Sequence, residues 1–451
     1  MVQLESVGKS VNQYPLTSRQ GDPDCIMRSP RDVIGVALRI KGVLNPDALK
    51  SALDEVVARH EALRTRISYS ETDGNLGFQE VLPPLPVPLT VHDIPMISGQ
   101  TRDQIAIDLL AELNDGALPF FATPPLRAAL YRFDADDAVL TLLAHHLYCD
   151  GWSTDILRRE IAACYKAKVT GIPHALPTPV PYREFAAWEQ DFLQGEKAAP
   201  THRFWMDRLA GAELCTLPAD RIHGPDTLTP RTAVRNFSID PQNFAKVVAC
   251  TAESRCSTWH VFLAAFMALA EKVRGRSDIT LLTVNNGRPS KMFYDTIGFF
   301  SNVVPVRLDF SNCKSFRDLL LLARDASADA QQYQIPFGSI LEMFPDLRKE
   351  SDDQPALPLV FNYYTRSPLA QHDAESTIGF EQVMLPEELP ASFFRGQCVW
   401  SFLVVQPGEF RCSVEYEPNA VDPSTIDRWG SDFISLIMAI ADEPDRSWKS
   451  R

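Results

Sequence analysis

The chain lacks the cysteine patterns that hold small secreted domains or zinc ribbons together. Its nine cysteines are an odd number, lie far apart and include no Cys-x-x-Cys pair. Neither a disulfide framework nor a zinc-ribbon spacing is therefore predicted. We expect a reducing compartment.

Long apolar runs and a basic leader are also missing. The longest apolar run, residues 261–270, is far shorter than the roughly 20 residues that a membrane-spanning helix needs. The first residues, MVQLESVGKSVNQYPL, contain no basic region followed by an apolar stretch, as a signal peptide would. A cytoplasmic protein without a membrane partner is expected.

Positive charge is in short supply, because 44 Lys and Arg face 58 Asp and Glu, a net charge of −14. A chain that binds nucleic acid neutralises phosphates with basic residues, so nucleic acid is not an expected partner. Hydrophobic residues make up 45% and charged residues 23% of the 451 positions, which is typical of a folded globular protein. That length predicts two sizeable domains.

Two proline clusters, at 83–88 and 173–181, interrupt the regular patterns, because proline has no backbone N–H and fixes φ. We place a linker at 173–181, an N-terminal lobe at 1–172 and a C-terminal lobe at 182–451. Strand and helix patterns interleave in both, so the predicted class is α/β or mixed α+β.

Hydrophobic periodicity locates the main elements. Asn45-Pro46 is a typical N-cap followed by proline at the first helical position, and the predicted helix continues through Arg59 to Arg66. The other predicted strands and helices are strands at 33–41, 126–133, 138–144, 279–284, 303–310, 359–364 and 399–405, and helices at 182–192, 202–209, 241–256, 259–273, 316–332 and 423–440.

The segment His145-His146-Leu147-Tyr148-Cys149-Asp150-Gly151 directly follows the buried strand predicted at 138–144. It places imidazoles, which titrate near neutrality, beside a carboxylate and a glycine turn, an arrangement suited to acid/base chemistry. The alternative is structural: packed histidines, with Asp150 capping a helix that starts near Ser153. A metal site is disfavoured, because adjacent strand residues point to opposite faces and no second ligand group follows at the right spacing.

His145-His146-x-x-x-Asp150-Gly151 resembles the signature of the condensation domains of nonribosomal peptide synthetases, a branch of the chloramphenicol-acetyltransferase-like acyltransferases. Further segments resemble the family's other motifs in the same order: Arg59-His60-Glu61-Ala62-Leu63-Arg64-Thr65-Arg66, Pro125-Leu126-Arg127, Tyr182-Arg183-Glu184-Phe185, Asn286-Gly287-Arg288 and Ile297-Gly298-Phe299-Phe300-Ser301-Asn302. The opening segment Tyr14-Pro15-Leu16-Thr17-Ser18-Arg19-Gln20 is also similar, but the Gly21-Asp22-Pro23-Asp24 that follows departs from the pattern.

The resemblance implies two acetyltransferase-like lobes arranged in a V, with the active site at their junction. The acyl donor would be a thioester on the phosphopantetheine arm of an acyl or peptidyl carrier protein. An amine or hydroxyl nucleophile, carrier-bound or free, would attack it and form an amide or ester without a covalent enzyme intermediate. No bound cofactor is expected, and we expect a monomer that functions as a free-standing enzyme.

The same resemblance assigns the catalytic segment. His146 is the expected contact to the nucleophile, as a general base or as a positioning group, with His145 as support. Asp150 would pair with Arg288. Gly151 either leaves room for the donor arm or occupies a turn that requires positive φ.

Three further residues are expected to line the substrate tunnel or to support it. These are Trp152, Ser153, for which an N-cap role is preferred, and Asn302. His60 and His260 lie within helical apolar patterns and are interpreted as core histidines with satisfied hydrogen bonds.

Three other functions remain open. The first is an acyltransferase that uses coenzyme A or a carrier and a free small-molecule acceptor. The second is an epimerase of the same branch, and the third is a non-catalytic module that recruits carrier proteins. Loss of the histidine pair would be typical of the last, and the pair is intact here.

Overall fold

The chain forms two compact units. The structure, a computed structural model, describes residues 12–21, 30–69, 77–95, 99–114, 116–221, 233–348, 356–364, 379–383, 398–406 and 409–449. The first unit comprises the described residues up to Glu196, the segment Asn286–Ser301 and the strand Gly379–Gln382. The second comprises Lys197–Asn285 and the remaining described residues from Asn302 onward.

Strands and helices interleave within the described residues, as the predicted α/β or α+β class requires. The strands are β1 (Gln13–Pro15), β2 (Val33–Lys41), β3 (Thr65–Ser68), β4 (Phe78–Val81), β5 (Leu89–Asp93), β6 (Leu126–Arg132), β7 (Asp137–His145), β8 (Thr216–Pro218), β9 (Ala233–Ile239), β10 (Asp278–Asn285), β11 (Asn302–Asp309), β12 (Ala356–Tyr364), β13 (Gly379–Gln382), β14 (Cys398–Gln406) and β15 (Glu409–Tyr416). The helices are α1 (Ser18–Gly21), α2 (Pro46–Arg59), α3 (Arg102–Asn114), α4 (Gly151–Thr170), α5 (Tyr182–Gln194), α6 (Ala199–Arg208), α7 (Pro241–Ser254), α8 (Thr258–Arg274), α9 (Phe316–Gln332), α10 (Phe337–Met343) and α11 (Pro423–Asp442).

The first unit is built on a five-stranded sheet with the order β13-β2-β7-β6-β5. Strands β2 and β7 are antiparallel along their whole length, with Val33 opposite His145. Nearly every residue of β7 is buried, in agreement with the strand predicted to be covered on both faces. Helices α2 and α4 pack on each other, and their apolar residues share one core with β2 and β7.

The second unit is built on a seven-stranded sheet with the path β11-β10-β12-β14-β15-β9, and β8 pairs with β12. Helix α8 is buried without interruption from Val261 to Ala270, which is typical of a helix covered on all sides. Its Phe266 ring lies 5.3 Å from Trp400, and Trp400 lies 5.3 Å from Phe433 of α11, so aromatic packing joins sheet and helices.

The division into units does not coincide with the linker drawn at 173–181. Helix α5, which follows that linker, belongs to the first unit, and so does the segment Asn286–Ser301. Tyr182 and Phe185 on one face of α5 join the same core cluster as Phe293 and Phe300. The proline cluster ends regular structure, as expected, but apolar packing carries the compact unit beyond it.

The predicted element bounds agree with the structure to within about three residues, with one clear correction in the first unit. The helix predicted to continue to Arg66 ends at Arg59, where His60 is extended and its ring is buried against Glu160. A short 3-10 helix, Glu61–Arg64, and strand β3 follow. Helix α3 was not predicted, although Thr101 caps it and Ile105 and Leu110 are buried at helical spacing.

Two properties bear on the expected environment of the chain. No helix in the described part is long and apolar enough to cross a bilayer. The seven cysteines whose side chains are described carry free thiols, five of them buried.

Candidate active site

The histidine pair lies where β7 ends and the chain turns into α4. His145 is the last residue of β7, His146 opens a 3-10 turn that ends at Tyr148, and Asp150 is the N-cap of α4. The His146 N–H donates to the Asp32 carbonyl at 2.8 Å, which fixes the start of the turn. Strand, turn and helix cap thus place three of the candidate residues within six positions.

His146 is buried, with 8% of its surface exposed, and its ring meets an aromatic neighbour. The Phe299 ring lies edge-on to the imidazole, with centroids 5.0 Å apart and planes at 74°. Burial lowers the pKa of His146 from its ordinary value, against the opposing influence of the Asp150 carboxylate. The imidazole is therefore neutral near pH 7 and able to accept a proton.

His145 is fully buried and supports the turn. Its Nδ1 accepts a hydrogen bond from the Leu147 N–H at 3.2 Å. Its ring also lies near those of Tyr148 and Phe120, at 6.3 and 6.4 Å. These contacts match the supporting role expected for His145.

Asp150 and Arg288 form a fully buried, two-point ion pair. Arg288 Nη1 donates to Asp150 Oδ2 at 2.9 Å, and Nη2 donates to Oδ1 at 3.2 Å. The same carboxylate accepts the N–H groups of Phe300 and Ser301 at 3.1 and 3.2 Å. Burial alone would raise the pKa of the Asp150 carboxyl, but Arg288 and Ser153 hold it below its ordinary value. The structure pairs the two residues as the resemblance implies.

Gly151 corrects one of the two expectations held for it. It is the first residue of α4 and is absent from the glycines with positive φ, so no strained turn requires it. A Cβ built at Gly151 would meet no atom within 4 Å, and the residue is exposed. Open space therefore lies beside the turn that carries His146.

Ser153 is not the N-cap that the sequence favoured, because Asp150 holds that position and accepts the Ser153 N–H at 2.8 Å. The Ser153 hydroxyl instead donates to Asp150 Oδ1 at 2.7 Å and accepts from the Gly298 N–H at 3.1 Å. Arg288 also donates to it, at 3.2 Å. Ser153 is thus a member of the buried ion-pair network.

Trp152 is held by the segment that follows Arg288. Its indole N–H donates to the Tyr294 carbonyl at 2.9 Å, and the two rings lie 5.2 Å apart. The Arg288 guanidinium lies 5.5 Å from the Trp152 ring and 4.1 Å from the Phe300 ring. These contacts support the Asp150 pair from the side.

Asn302 belongs to the second unit, unlike the other candidates. It is buried, and its amide donates to the Ile335 carbonyl at 2.7 Å. That hydrogen bond accounts for the side chain within its own unit. A tunnel role for Asn302 stays a prediction.

The sequence did not single out the residues that hold the segment opposite His146. Tyr182 donates its hydroxyl proton to the Phe299 carbonyl at 2.7 Å. A Cβ at Gly298 would lie 2.1 Å from the Tyr182 ring, and at Gly287 it would lie 1.6 Å from the Phe300 carbonyl, where φ is +60°. The only signal in the sequence was the presence of these residues within the motifs already quoted.

One group of metal-ligand types occurs among the described residues, away from the histidine turn in sequence. Ligand atoms of Glu55, Cys164 and His174 lie within 4.8 Å of one another. The Glu55 carboxylate is already bound by Lys168 at 2.6 Å and by His174 at 2.8 Å. Because an ammonium group satisfies the carboxylate, these side chains form an ion-pair cluster, and no metal is assigned to them.

The arrangement suits proton transfer or orientation and not covalent catalysis. The thiol nearest to His146 in sequence belongs to Cys149, which is fully buried, and burial raises its pKa. A thiol held protonated is a poor nucleophile. His146 therefore offers a neutral base beside open space at Gly151.

The chain belongs to the condensation domain family, because the family described as "Condensation domain" matches residues 33–450. A part of the linear gramicidin synthase of Brevibacillus parabrevis is 29% identical over 413 residues, which are 90% of this chain. The chain spans only 5% of that relative's length.

Solved structures carry the same fold. The SgcC5 protein of Streptomyces globisporus superposes with a TM-score of 0.84 at 28% identity, covering 96% of this chain and all of the other. The X-domain from teicoplanin biosynthesis gives 0.79 at 22% identity, covering 99% of each chain. The first condensation domain of the CDA synthetase gives 0.76 at 16% identity, covering 97% of this chain and 98% of that one. The predicted fold class, two-lobed and chloramphenicol-acetyltransferase-like, is confirmed.

Proposed function

We propose that the chain is an acyltransferase of nonribosomal peptide or hybrid polyketide biosynthesis. It would transfer an acyl group from the phosphopantetheine thioester of a carrier protein to an amine or hydroxyl nucleophile. The observation that carries the proposal is a buried, neutral His146 beside open space at Gly151. Membership of the condensation family supports the reaction class.

His146 takes the proton of the nucleophile in this proposal. As the N–H or O–H bond gives up its proton to the imidazole, the nucleophile attacks the thioester carbonyl and the phosphopantetheine thiolate leaves. The thiolate then regains a proton, so the imidazole returns to its neutral form. General-base help of this kind contributes about 10²- to 10⁴-fold to a rate.

Asp150 has a positioning role in this proposal. Its carboxylate is fully occupied by Arg288, Ser153 and two backbone N–H groups. It is thus a poor proton acceptor but fixes the start of α4, one turn after His146.

A hydroxyl nucleophile has one specific supporting observation. The SgcC5 structure contains a naphthyl ethanediol, and SgcC5 is 28% identical to this chain. We propose that the nucleophile is an alcohol or an amine of a small molecule or of a second carrier-bound group. No resident cofactor takes part, and the phosphopantetheine arms belong to the carrier partners.

The proposal is tested with an acyl-loaded carrier protein and two nucleophiles that differ at one position. 1-Phenyl-1,2-ethanediol and 2-amino-1-phenylethanol carry a hydroxyl or an amine at the same carbon, so mass spectrometry distinguishes ester from amide. Product that requires the wild-type chain and disappears in His146→Ala supports the proposal. A His174→Ala variant is the matched control and keeps full product formation.

Binding without turnover would favour a recruitment module. The fold is shared with an X-domain, so the fold alone does not assign catalysis. If a loaded carrier binds the chain, but no donor and nucleophile give product above the rate without protein, the enzyme proposal fails. Product from acyl-coenzyme A but not from the loaded carrier would favour the acyltransferase with a free acceptor.

A further inference from the structure

A buried chain of polar side chains runs beside the His146 turn within the first unit. It consists of Thr17, Gln20 and Tyr182, which are 0%, 1% and 3% exposed. The Thr17 hydroxyl lies 3.3 Å from the Tyr182 hydroxyl and donates to the Gln20 side-chain carbonyl at 3.3 Å. The Thr17 N–H donates to the same carbonyl at 3.2 Å.

The two ends of this chain bind the backbone on either side of the imidazole contact. Gln20 Nε2 donates to the carbonyl of Leu147, the residue directly after His146, at 3.1 Å. At the other end, the Tyr182 hydroxyl donates to the carbonyl of Phe299, whose ring meets the imidazole. One continuous set of hydrogen bonds thus spans from the His146 turn to the Phe299 backbone.

We propose that Thr17, Gln20 and Tyr182 are positioning residues that hold the His146 imidazole against the Phe299 ring. The effect on turnover rests on the proposed function, whereas the effect on ring geometry does not. The three residues act through two backbone carbonyls, and the proposal requires no contact with substrate.

The network has little room to slip. A Cβ at Gly298 would lie 2.1 Å from the Tyr182 ring, so that ring packs directly on the backbone before Phe299. The other side is anchored by Glu189, which accepts the Ser18 N–H at 2.6 Å and pairs with Arg19 at 2.8 Å. Rigid supports of this kind are what a catalytic group needs, since a misplacement of about 1 Å can cost about 100-fold in rate.

The obvious alternative is that these hydrogen bonds only stabilise the fold. Buried polar groups must be paired in any case, so burial alone does not distinguish the two roles. A matched deletion elsewhere in the same unit does. Tyr165 is equally buried, and its hydroxyl accepts the Asn45 N–H at 2.9 Å, so Tyr165→Phe removes a comparable hydrogen bond.

The test compares Tyr182→Phe with Tyr165→Phe in the full chain. Both substitutions keep the aromatic ring and delete one hydroxyl. We expect Tyr182→Phe to lower kcat by about tenfold or more with KM changed by less than about twofold, whereas Tyr165→Phe keeps both within about twofold. Gln20→Leu, which releases the Leu147 carbonyl, should lower kcat in the same way.

A second measurement reads the ring directly and is independent of turnover. With ¹⁵N-labelled histidine, the His146 signals are assigned as those absent from His146→Ala. Tyr182→Phe should shift or broaden these signals, because the Phe299 ring changes its position, and Tyr165→Phe should leave them unchanged. Unchanged His146 signals in Tyr182→Phe overturn the inference. If the wild-type chain makes no product, the proposed function fails and the signals alone decide on the network.

Discussion

Arg288 and Asp150 are 138 positions apart in the chain and form a two-point ion pair with no exposed surface on either side chain. The guanidinium also donates to the carbonyls of Phe293 and Thr296 at 3.2 and 3.0 Å. The pair is therefore well satisfied and fixes the segment around residue 298 to the start of α4. Removing one partner leaves a buried, uncompensated charge.

Asp150→Ala should cost about 3 to 5 kcal/mol in the free energy of unfolding, because Arg288 would remain buried without its partner. The measurement is urea unfolding followed by circular dichroism. Asp93→Ala is the control: its partner is Arg132, and these side chains are 77% and 40% exposed. That loss should stay within about 1 kcal/mol. Normal stability of Asp150→Ala together with lost activity would instead give Asp150 a role in the chemistry.

Gly151→Ala should fold as well as the wild type and still lose activity. The Cβ meets no protein atom and φ is not positive, so the expected change in stability is within about 1 kcal/mol. Activity falls if the donor arm passes through the open space beside the turn. Gly287→Ala gives the contrast, because its Cβ would lie 1.6 Å from the Phe300 carbonyl. Full activity of Gly151→Ala would show that the arm takes another path.

The pH profile should show an acid limb with a midpoint below 6.5. Burial lowers the pKa of His146 from 6.5, so the neutral form persists at lower pH than for a free histidine. Single-turnover rates should therefore hold as pH falls through 6.5 and decline only once the buried imidazole gains its proton. The same shift makes the folded state lose stability as pH falls from 6.5 towards the folded pKa. A midpoint above 6.5 would contradict a buried neutral base.

Much of this site follows from local sequence. The strand that ends at His145, the turn, and the cap at Asp150 all depend on neighbouring residues, and the pattern predicted them. The pairing of Asp150 with Arg288 followed from the motif order alone. The N-cap was assigned to Ser153 instead of Asp150, because both residue types favour that position and only the backbone decides.

Contacts between distant segments were not predictable in the same way. Tyr182 and Phe299 are 117 positions apart, and their hydrogen bond uses a backbone carbonyl, which has no sequence signature. The linker at 173–181 was drawn from proline alone, whereas the core of the first unit continues into Phe185 of α5. Composition marks where regular structure stops, but packing decides which unit a helix joins.

Glu160→Gln should destabilise the fold at neutral pH. Burial alone would raise the pKa of Glu160, but His60 and Arg59 hold it at about 2, against an ordinary 4.5, which corresponds to roughly 3 kcal/mol. Because the folded pKa is the lower one, this stability is present above pH 4.5 and is lost as pH falls towards 2. Unfolding of both proteins, measured from pH 7 to pH 3, should show the difference shrinking with acid.

A substitution at an exposed glutamate is the reference for that comparison. Glu184, whose side chain is 55% exposed, lies on α5, and Glu184→Gln should change stability by less than about 1 kcal/mol at any pH. If Glu160→Gln behaves like Glu184→Gln, the buried cluster contributes no net stability.

The most direct test of the account is the single-turnover rate of His146→Ala with an acyl-loaded carrier and an excess of nucleophile. His146 is buried in a turn that Asp150 and Arg288 hold in place, so the variant should fold, as circular dichroism would show. We predict a rate lower by about 10²- to 10⁴-fold than that of the wild type, with His174→Ala unaffected. Full activity of a folded His146→Ala would contradict both the general-base and the positioning role of this histidine.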